Sequence, residues 1–165
     1  MTDYCKLYAK INRIMGTLTP LRADCGRLCD CACCKGDENT GMRLFPHEQT
    51  TLTVRTIEGG DRLAVCDGTC ERDARPLACK IFPFFPTVDG RGRVYIEEDI
   101  RAVHVCPMIG NSDKIAYDRR FFRALRRVGR VLARDPECLE FLRETTAEID
   151  TYRALLPAVN IQEDE

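Results

Sequence analysis

From Asp3 to Thr17 the apolar side chains Tyr4, Leu7, Tyr8, Ile11, Ile14 and Met15, continued by Leu18, recur at the spacing of an amphipathic helix. Thr2 or Asp3 can cap its first turn and Pro20 stops it, so an N-terminal helix is expected within residues 1–19. A second helical block lies toward the other end. Ser112 or Asp113 can cap a helix to about Ala133, with Ile115, Phe121, Phe122, Leu125, Val128 and Leu132 as its buried stripe. Asp135-Pro136-Glu137 then supplies a new cap, a proline at the first helical position and an acid near the helix dipole's positive end. That helix should run to about Leu156 and bury Cys138, Phe141, Leu142, Ile149, Tyr152 and Leu156. So short a connection between two long helices implies an antiparallel hairpin over 112–157, and residues 158–165 read as a frayed acidic tail.

Between these blocks the period changes from 3.6 to two. Leu52 to Ile57 alternates as a half-buried strand does, and Gly59-Gly60-Asp61 turns it toward Leu63-Ala64-Val65. Phe84 to Val88 and Arg93 to Ile96 flank Asp89-Gly90-Arg91-Gly92, a hairpin signal with glycines for positive φ. The predicted class is α+β. It comprises an N-terminal helix, an irregular cysteine-rich core with short antiparallel strands over residues 20–111, and a C-terminal helical hairpin. A chain of 165 residues is the size of one domain. Three irregular stretches remain, Pro20 to Gly41, Asp67 to Pro76 and Asp99 to Asn111. Loops of this length inside a compact domain need something to tie them down.

Composition says what that could be. The chain has 11 cysteines, nine of them between Cys25 and Cys106 and five within Cys25 to Cys34. The net charge of −1 gives the whole molecule no field that would draw it to nucleic acid or an anionic membrane. No run approaches the ~20 apolar residues that span a bilayer. The N-terminus lacks the basic start and apolar stretch of a secretory leader, so a cytoplasmic protein is expected. In that compartment thiols stay reduced, and clustered cysteines bind metal more often than they pair.

The candidate ligands are Cys25, Cys29, Cys31, Cys33 and Cys34 in the first cluster, Cys66 and Cys70 in the second, then Cys79 and Cys106. A tetrahedral zinc site takes four nitrogen or sulfur donors, commonly from two loops. An iron–sulfur cluster takes about four thiolates, often with one followed by proline, as in Cys106-Pro107. Cys5 and Cys138 belong to the helical stripes and are expected to pack as small apolar side chains. Adjacent side chains on an extended backbone point to opposite faces, so Cys33 and Cys34 would divide between two centres or two roles. A four-thiolate site carries a formal charge of about −2, which nearby cations must offset. Arg27, Lys35, Arg62, Arg72, Arg75 and Lys80 lie near cysteines in the chain, and Arg75, held by the Arg-Pro pair, is the best of them.

These residues resemble a known family. The run Cys66-Asp-Gly-Thr-Cys70, the segment Arg75-Pro-Leu-Ala-Cys79-Lys-Ile-Phe-Pro83, the preceding Cys33-Cys34 pair and the later Cys106-Pro107 are similar to the YkgJ-type cysteine-cluster proteins. These are described as a zinc- or iron-chelating domain with a CxxCxxCC motif, and related patterns occur in flagellin lysine N-methylases. The resemblance covers about Asp24 to Met108 and implies Cys33, Cys34, Cys66, Cys70, Cys79 and Cys106 as ligands, with Cys25 matching the family's first cysteine. The family's second cysteine would fall on Asp30. Cys29 and Cys31 stand on either side of it, and either can take the role.

Other chemistry is weaker. A nucleophilic cysteine wants a histidine partner, and neither His47 nor His104 has the spacing of a dyad. Pro46-His47-Glu48-Gln49 can start a short helix in which His47 or Glu48 adds a donor. Arg119, Arg120, Arg123, Arg126, Arg127, Arg130 and Arg134 crowd one helix, while the next carries Glu137, Glu140, Glu144, Glu148 and Asp150. Complementary charge between packed helices, or a solvated face, is the expected account rather than a nucleic-acid contact. The sequence thus points to a protein that holds zinc, with an iron–sulfur cluster for redox or methyl-transfer work as the alternative. No catalytic residue is assigned, and the only partner indicated is the metal.

Overall fold

The apolar stripe that begins at Tyr4 folds as helix α1 (Tyr4–Met15) in the computed structural model, which describes residues 2–23, 25–35, 41–66, 68, 71, 74–111 and 114–156. The Asp3 carboxylate accepts from the Lys6 N–H at 3.1 Å, as an N-cap should. The helix ends at Gly16 (φ 51°), before Pro20 is reached, and buries Tyr8, Ile11 and Met15. Cys5 is exposed, so its expected place in the buried stripe is corrected: it points away from the face that carries Tyr8 and Ile11.

Among the described residues five short strands follow. β1 (Met42–Arg43), β2 (Thr53–Thr56) and β3 (Arg62–Val65) form an antiparallel sheet in the order β1-β3-β2, with Val54 opposite Ala64. β2 departs from the expected half-buried alternation, for all four of its residues are exposed. It is an edge strand on a sheet whose one fully buried residue is Ala64 on β3. Helix α2 (Leu77–Ile81) was not legible as a helix and precedes the cis Phe82–Pro83 peptide. β4 (Phe84–Val88) and β5 (Val94–Glu98) make the anticipated hairpin, with Phe84 opposite Glu98 and Val88 opposite Val94.

The C-terminal helices are α3 (Arg119–Leu132) and α4 (Pro136–Leu155). α3 begins later than expected, and Ser112 and Asp113 lie outside the described residues. Its cap is the buried Asp118, which accepts from the Arg120 N–H at 2.9 Å, and Ile115 packs instead beside Tyr117 on a separate small cluster. α4 starts as read: Asp135 accepts from the Cys138 N–H at 3.0 Å, with Pro136 at the first turn. Cys138, Phe141, Leu142 and Ile149 are buried, whereas Tyr152 is half exposed because the last turn of α4 runs past the core.

The two helices follow one another across Ala133–Asp135, but each finds its main partner elsewhere. α3 lies on α1 and on the β4–β5 hairpin, and α4 on β4 and the 3-10 turn at Ile100–Ala102. Gly129 permits the α3 contact: a Cβ there would stand 2.6 Å from Val94 Cγ1 and 2.8 Å from Pro86 Cβ. Phe45, Phe85 and Phe141 group on one side of β4, and Phe84, Phe121 and Phe122 on the other. Arg43 bridges the three-stranded sheet to α4 by pairing with Asp61 and Glu148, both at 2.9 Å. Among the described residues no helix is long and apolar enough to cross a membrane.

Candidate metal centre

Four separated stretches of chain bring sulfur to the wall of one cavity of about 50 Å³. The first stretch contributes Cys25, Cys29, Cys33 and Cys34, the end of β3 contributes Cys66, α2 contributes Cys79, and the loop after Ala102 contributes Cys106. Leu28, Leu52, Phe82, Val105 and Met108 supply apolar wall between them, and Arg75 is the cation on the lining.

The first stretch owes its shape to two 3-10 turns, Cys25–Leu28 and Ala32–Cys34, joined through Asp30 (φ 50°) and Cys31 (φ 53°). Two consecutive left-handed residues reverse the chain sharply, a conformation that costs energy for any residue but glycine. The Cys31 N–H donates to Gly26 O at 2.9 Å and the Cys34 N–H to Cys31 O at 2.8 Å, and Lys35 Nζ closes the turn on Asp30 at 2.6 Å. The reversal leaves Cys29 on the cavity wall and Cys31 off it. It also changes the expectation for Cys33 and Cys34. On a 3-10 turn rather than an extended strand, both adjacent side chains reach the same cavity.

Cys79 is placed by a side chain that sequence reasoning read differently. Glu48 is 4% exposed, and its carboxylate accepts from the Leu77 N–H at the head of α2 and from the Phe45 N–H at 3.2 Å. It clamps the segment that carries Cys79 and does not line the cavity. Burial pushes Glu48 up to about 6, against the opposing pull of the two N–H donors and of Lys80 and Arg62. No pattern around Pro46-His47-Glu48 marks this role in the sequence, since the partner N–H groups are 29 residues away for Leu77 and local for Phe45. The expected short helix there is a turn with His47 at φ 57°. His47 pairs with Glu137 at 2.7 Å and stacks on Tyr4 at 4.0 Å, and His104 is exposed; neither lines the cavity.

Cys106 is buried in a small apolar cluster with Ala102, Met108 and Ile109. Burial raises its thiol, Cys29 and Cys25 add to the rise, and the backbone N–H groups of Met108 and Ile109 oppose it. Burial, then Cys34, Cys29 and Cys25, push the Cys33 thiol upward as well. These sulfurs are therefore close enough that deprotonating one makes the next deprotonation harder, unless a cation sits among them. Among the described residues, no three His, Cys, Asp or Glu side chains are gathered tightly enough to hold an ion as they stand.

The other sequence candidates are placed as follows. Cys70 and Arg72 lie outside the described residues. Lys35 is engaged by Asp30, Arg62 donates to Glu48 O at 2.9 Å, Lys80 donates to Asn12 at 3.1 Å, and Arg27 is exposed. Cys5, Cys29, Cys31, Cys33, Cys106 and Cys138 carry free thiols. Comparison of the chain with family models, curated proteins and solved structures finds no match.

Proposed function

We propose that this protein binds metal through the cysteines of the cavity, zinc in first place, with Cys25, Cys29, Cys33, Cys34, Cys66, Cys79 and Cys106 as its donors and Cys70 as an eighth. The observation that carries this reading is the convergence of seven cysteines, from four stretches between residues 25 and 106, on one small cavity. Soft thiolate donors suit zinc and iron–sulfur clusters and suit magnesium or calcium poorly. Arg75 and the N–H groups of Met108 and Ile109 would offset the negative charge of a thiolate site. Bound zinc would act as a cross-link between loops, with every coordination position filled by sulfur and no open one for substrate. The resemblance to YkgJ-type proteins agrees in the cysteines it implies, and a reducing compartment, the cytoplasm, goes with it.

One observation favours a second reading. The apolar wall of Leu28, Leu52, Phe82 and Val105 would shield a cluster from water. That makes an iron–sulfur cluster, in redox or methyl-transfer work, the alternative. Anaerobic purification followed by metal and sulfide analysis and a visible spectrum separates the two. Colourless protein with stoichiometric zinc, lost in Cys29→Ser and Cys79→Ser, supports the first reading. Brown protein with iron and sulfide replaces it with the second, and protein that takes up neither overturns both.

A further inference from the structure

α1 and α3 lie side by side, and the groove between them, about 820 Å³, is walled by cations from both. Lys6, Lys10 and Arg13 come from α1, and Arg120, Arg123 and Arg127 from α3. Each set is spaced by three or four residues, which puts it on one face of its helix. All six side chains are exposed. Lys6 is paired with Asp3 at 3.0 Å and Arg120 with Asp118 at 2.8 Å. Among the described residues Lys10, Arg13, Arg123 and Arg127 have no acidic partner, and no acid lines the groove.

Of the two expected accounts, neutralisation by α4 does not occur, and the arginines of α3 lie on a solvated face. Glu137 is engaged by His47, Glu144 by Arg43, Glu148 by Arg43 and Arg101, Glu140 by Arg143 and Asp150 by Arg153. A chain with a net charge of −1 thus gathers like charge on one face, at a cost in mutual repulsion. The chemistry of the face narrows the anion that would offset it. α3 uses only arginine for its cations, and the guanidinium fork matches phosphate oxygens. The apolar lining is limited to Ala9, Ile14 and Ala124, too little for the apolar centre of a protein interface or for insertion into a lipid surface. Among the described residues no aromatic ring lines the groove, so a single strand would find no stacking platform.

We propose that the α1–α3 groove binds the phosphate backbone of double-stranded nucleic acid, without reading its sequence. Contact is ionic, made by Lys10, Arg13, Arg123 and Arg127, and is independent of the metal centre. The test is fluorescence anisotropy with labelled 20-base-pair RNA and DNA duplexes at several salt concentrations. Four phosphate contacts give a log–log slope of about −3.6, so affinity falls by about 100-fold between 50 and 200 mM salt. Arg123→Ala/Arg127→Ala should roughly halve that slope, and Lys10→Ala/Arg13→Ala on the other wall should do the same. Arg91→Ala/Arg143→Ala makes an equal change in charge elsewhere and should leave it unchanged; circular dichroism checks that each variant is folded. Duplex binding absent at about 100 μM protein and 50 mM salt would overturn the proposal. So would equal losses in the Arg91→Ala/Arg143→Ala protein, or tighter groove-dependent binding of a polyglutamate peptide or phosphatidylserine vesicles.

Discussion

Two apolar clusters of unequal size divide this molecule. The larger draws on all four helices and β4, with Ile11, Met15, Phe45, Phe121, Leu125, Leu132, Leu142 and Ile149 almost completely buried. The smaller has four buried members, Ala102, Cys106, Met108 and Ile109, and lies beside the cysteine cavity. Burying a Leu-sized side chain contributes about 1.5–3 kcal/mol. The large cluster therefore supplies most of the apolar stabilisation, and the four residues of the small one cannot order loops as long as those around Cys25 to Cys34 and Cys106. Where apolar side chains run out, cysteines take their place.

If the cavity holds zinc as proposed, the largest expected effect comes from removing it. A structural zinc ion contributes on the order of 10–16 kcal/mol, comparable with the ~5–15 kcal/mol stability of a whole domain. Chelation should abolish hydrogen-exchange protection around Cys25–Cys34, Cys66 and Cys106 while α3 and α4 stay protected. Full protection of those loops in chelated protein would show that the small cluster suffices alone. Next in size, Leu142→Ala or Phe121→Ala should cost about 3–5 kcal/mol, measured by denaturant unfolding, and the loss should be the same with and without metal. A loss that vanished on chelation would mean that the two clusters unfold as one.

Glu48 braces the large cluster where it carries Cys79, since it ties the turn at Phe45 to α2, and Glu48→Ala leaves two buried N–H groups unpaired for about 2–4 kcal/mol. Its acidity adds a pH signature. The folded protein holds the Glu48 proton more tightly than the unfolded chain, whose carboxyl titrates near 4.5. Stability should therefore fall as pH rises from about 4.5 to about 6, by roughly 2 kcal/mol, and then level off. Urea titrations at pH 4.5 and 7 check this, and Glu48→Gln should remove the slope. Gly129→Ala should cost about 1–3 kcal/mol, because its Cβ must displace Val94 and Pro86. Smallest of all, Cys5→Ser and Cys31→Ser should leave both metal content and melting temperature within error, for both lie off the cavity wall. A drop in metal content on Cys31→Ser would move the ligand from Cys29 to Cys31.

Much of the scaffold was legible because its signals are local. The α1 stripe with Asp3, the Asp135-Pro136 start of α4 and the Asp89-to-Gly92 turn each need only neighbouring residues to be read, and each is where it was expected. α3 starts after Asp118 rather than after Ser112 or Asp113, because the choice of cap depends on the burial of Asp118 and on its N–H reaching Pro20 O at 2.8 Å. α2 is too short for a periodic signal and exists because Glu48 receives its first N–H. The β2 alternation promised a buried face, but burial depends on what packs over a strand, which its own residues do not encode.

By itself, then, the sequence determined the α+β class, the positions of the long helices and the hairpin, and the gathering of cysteines between residues 25 and 106. Each follows from periodicity, caps and residue chemistry along the chain. Only the tertiary structure decided which cysteines face one another. The left-handed pair Asp30-Cys31 selects Cys29 over Cys31, and the 3-10 turn carries Cys33 and Cys34 to one wall together. The same holds for charge: α3's arginines and α4's acids look complementary in the chain, yet α3 packs on α1 and leaves the cations to line a groove. Adjacency in the chain does not decide which helices meet, because that is settled by the apolar faces, and the polar faces take whatever neighbours result.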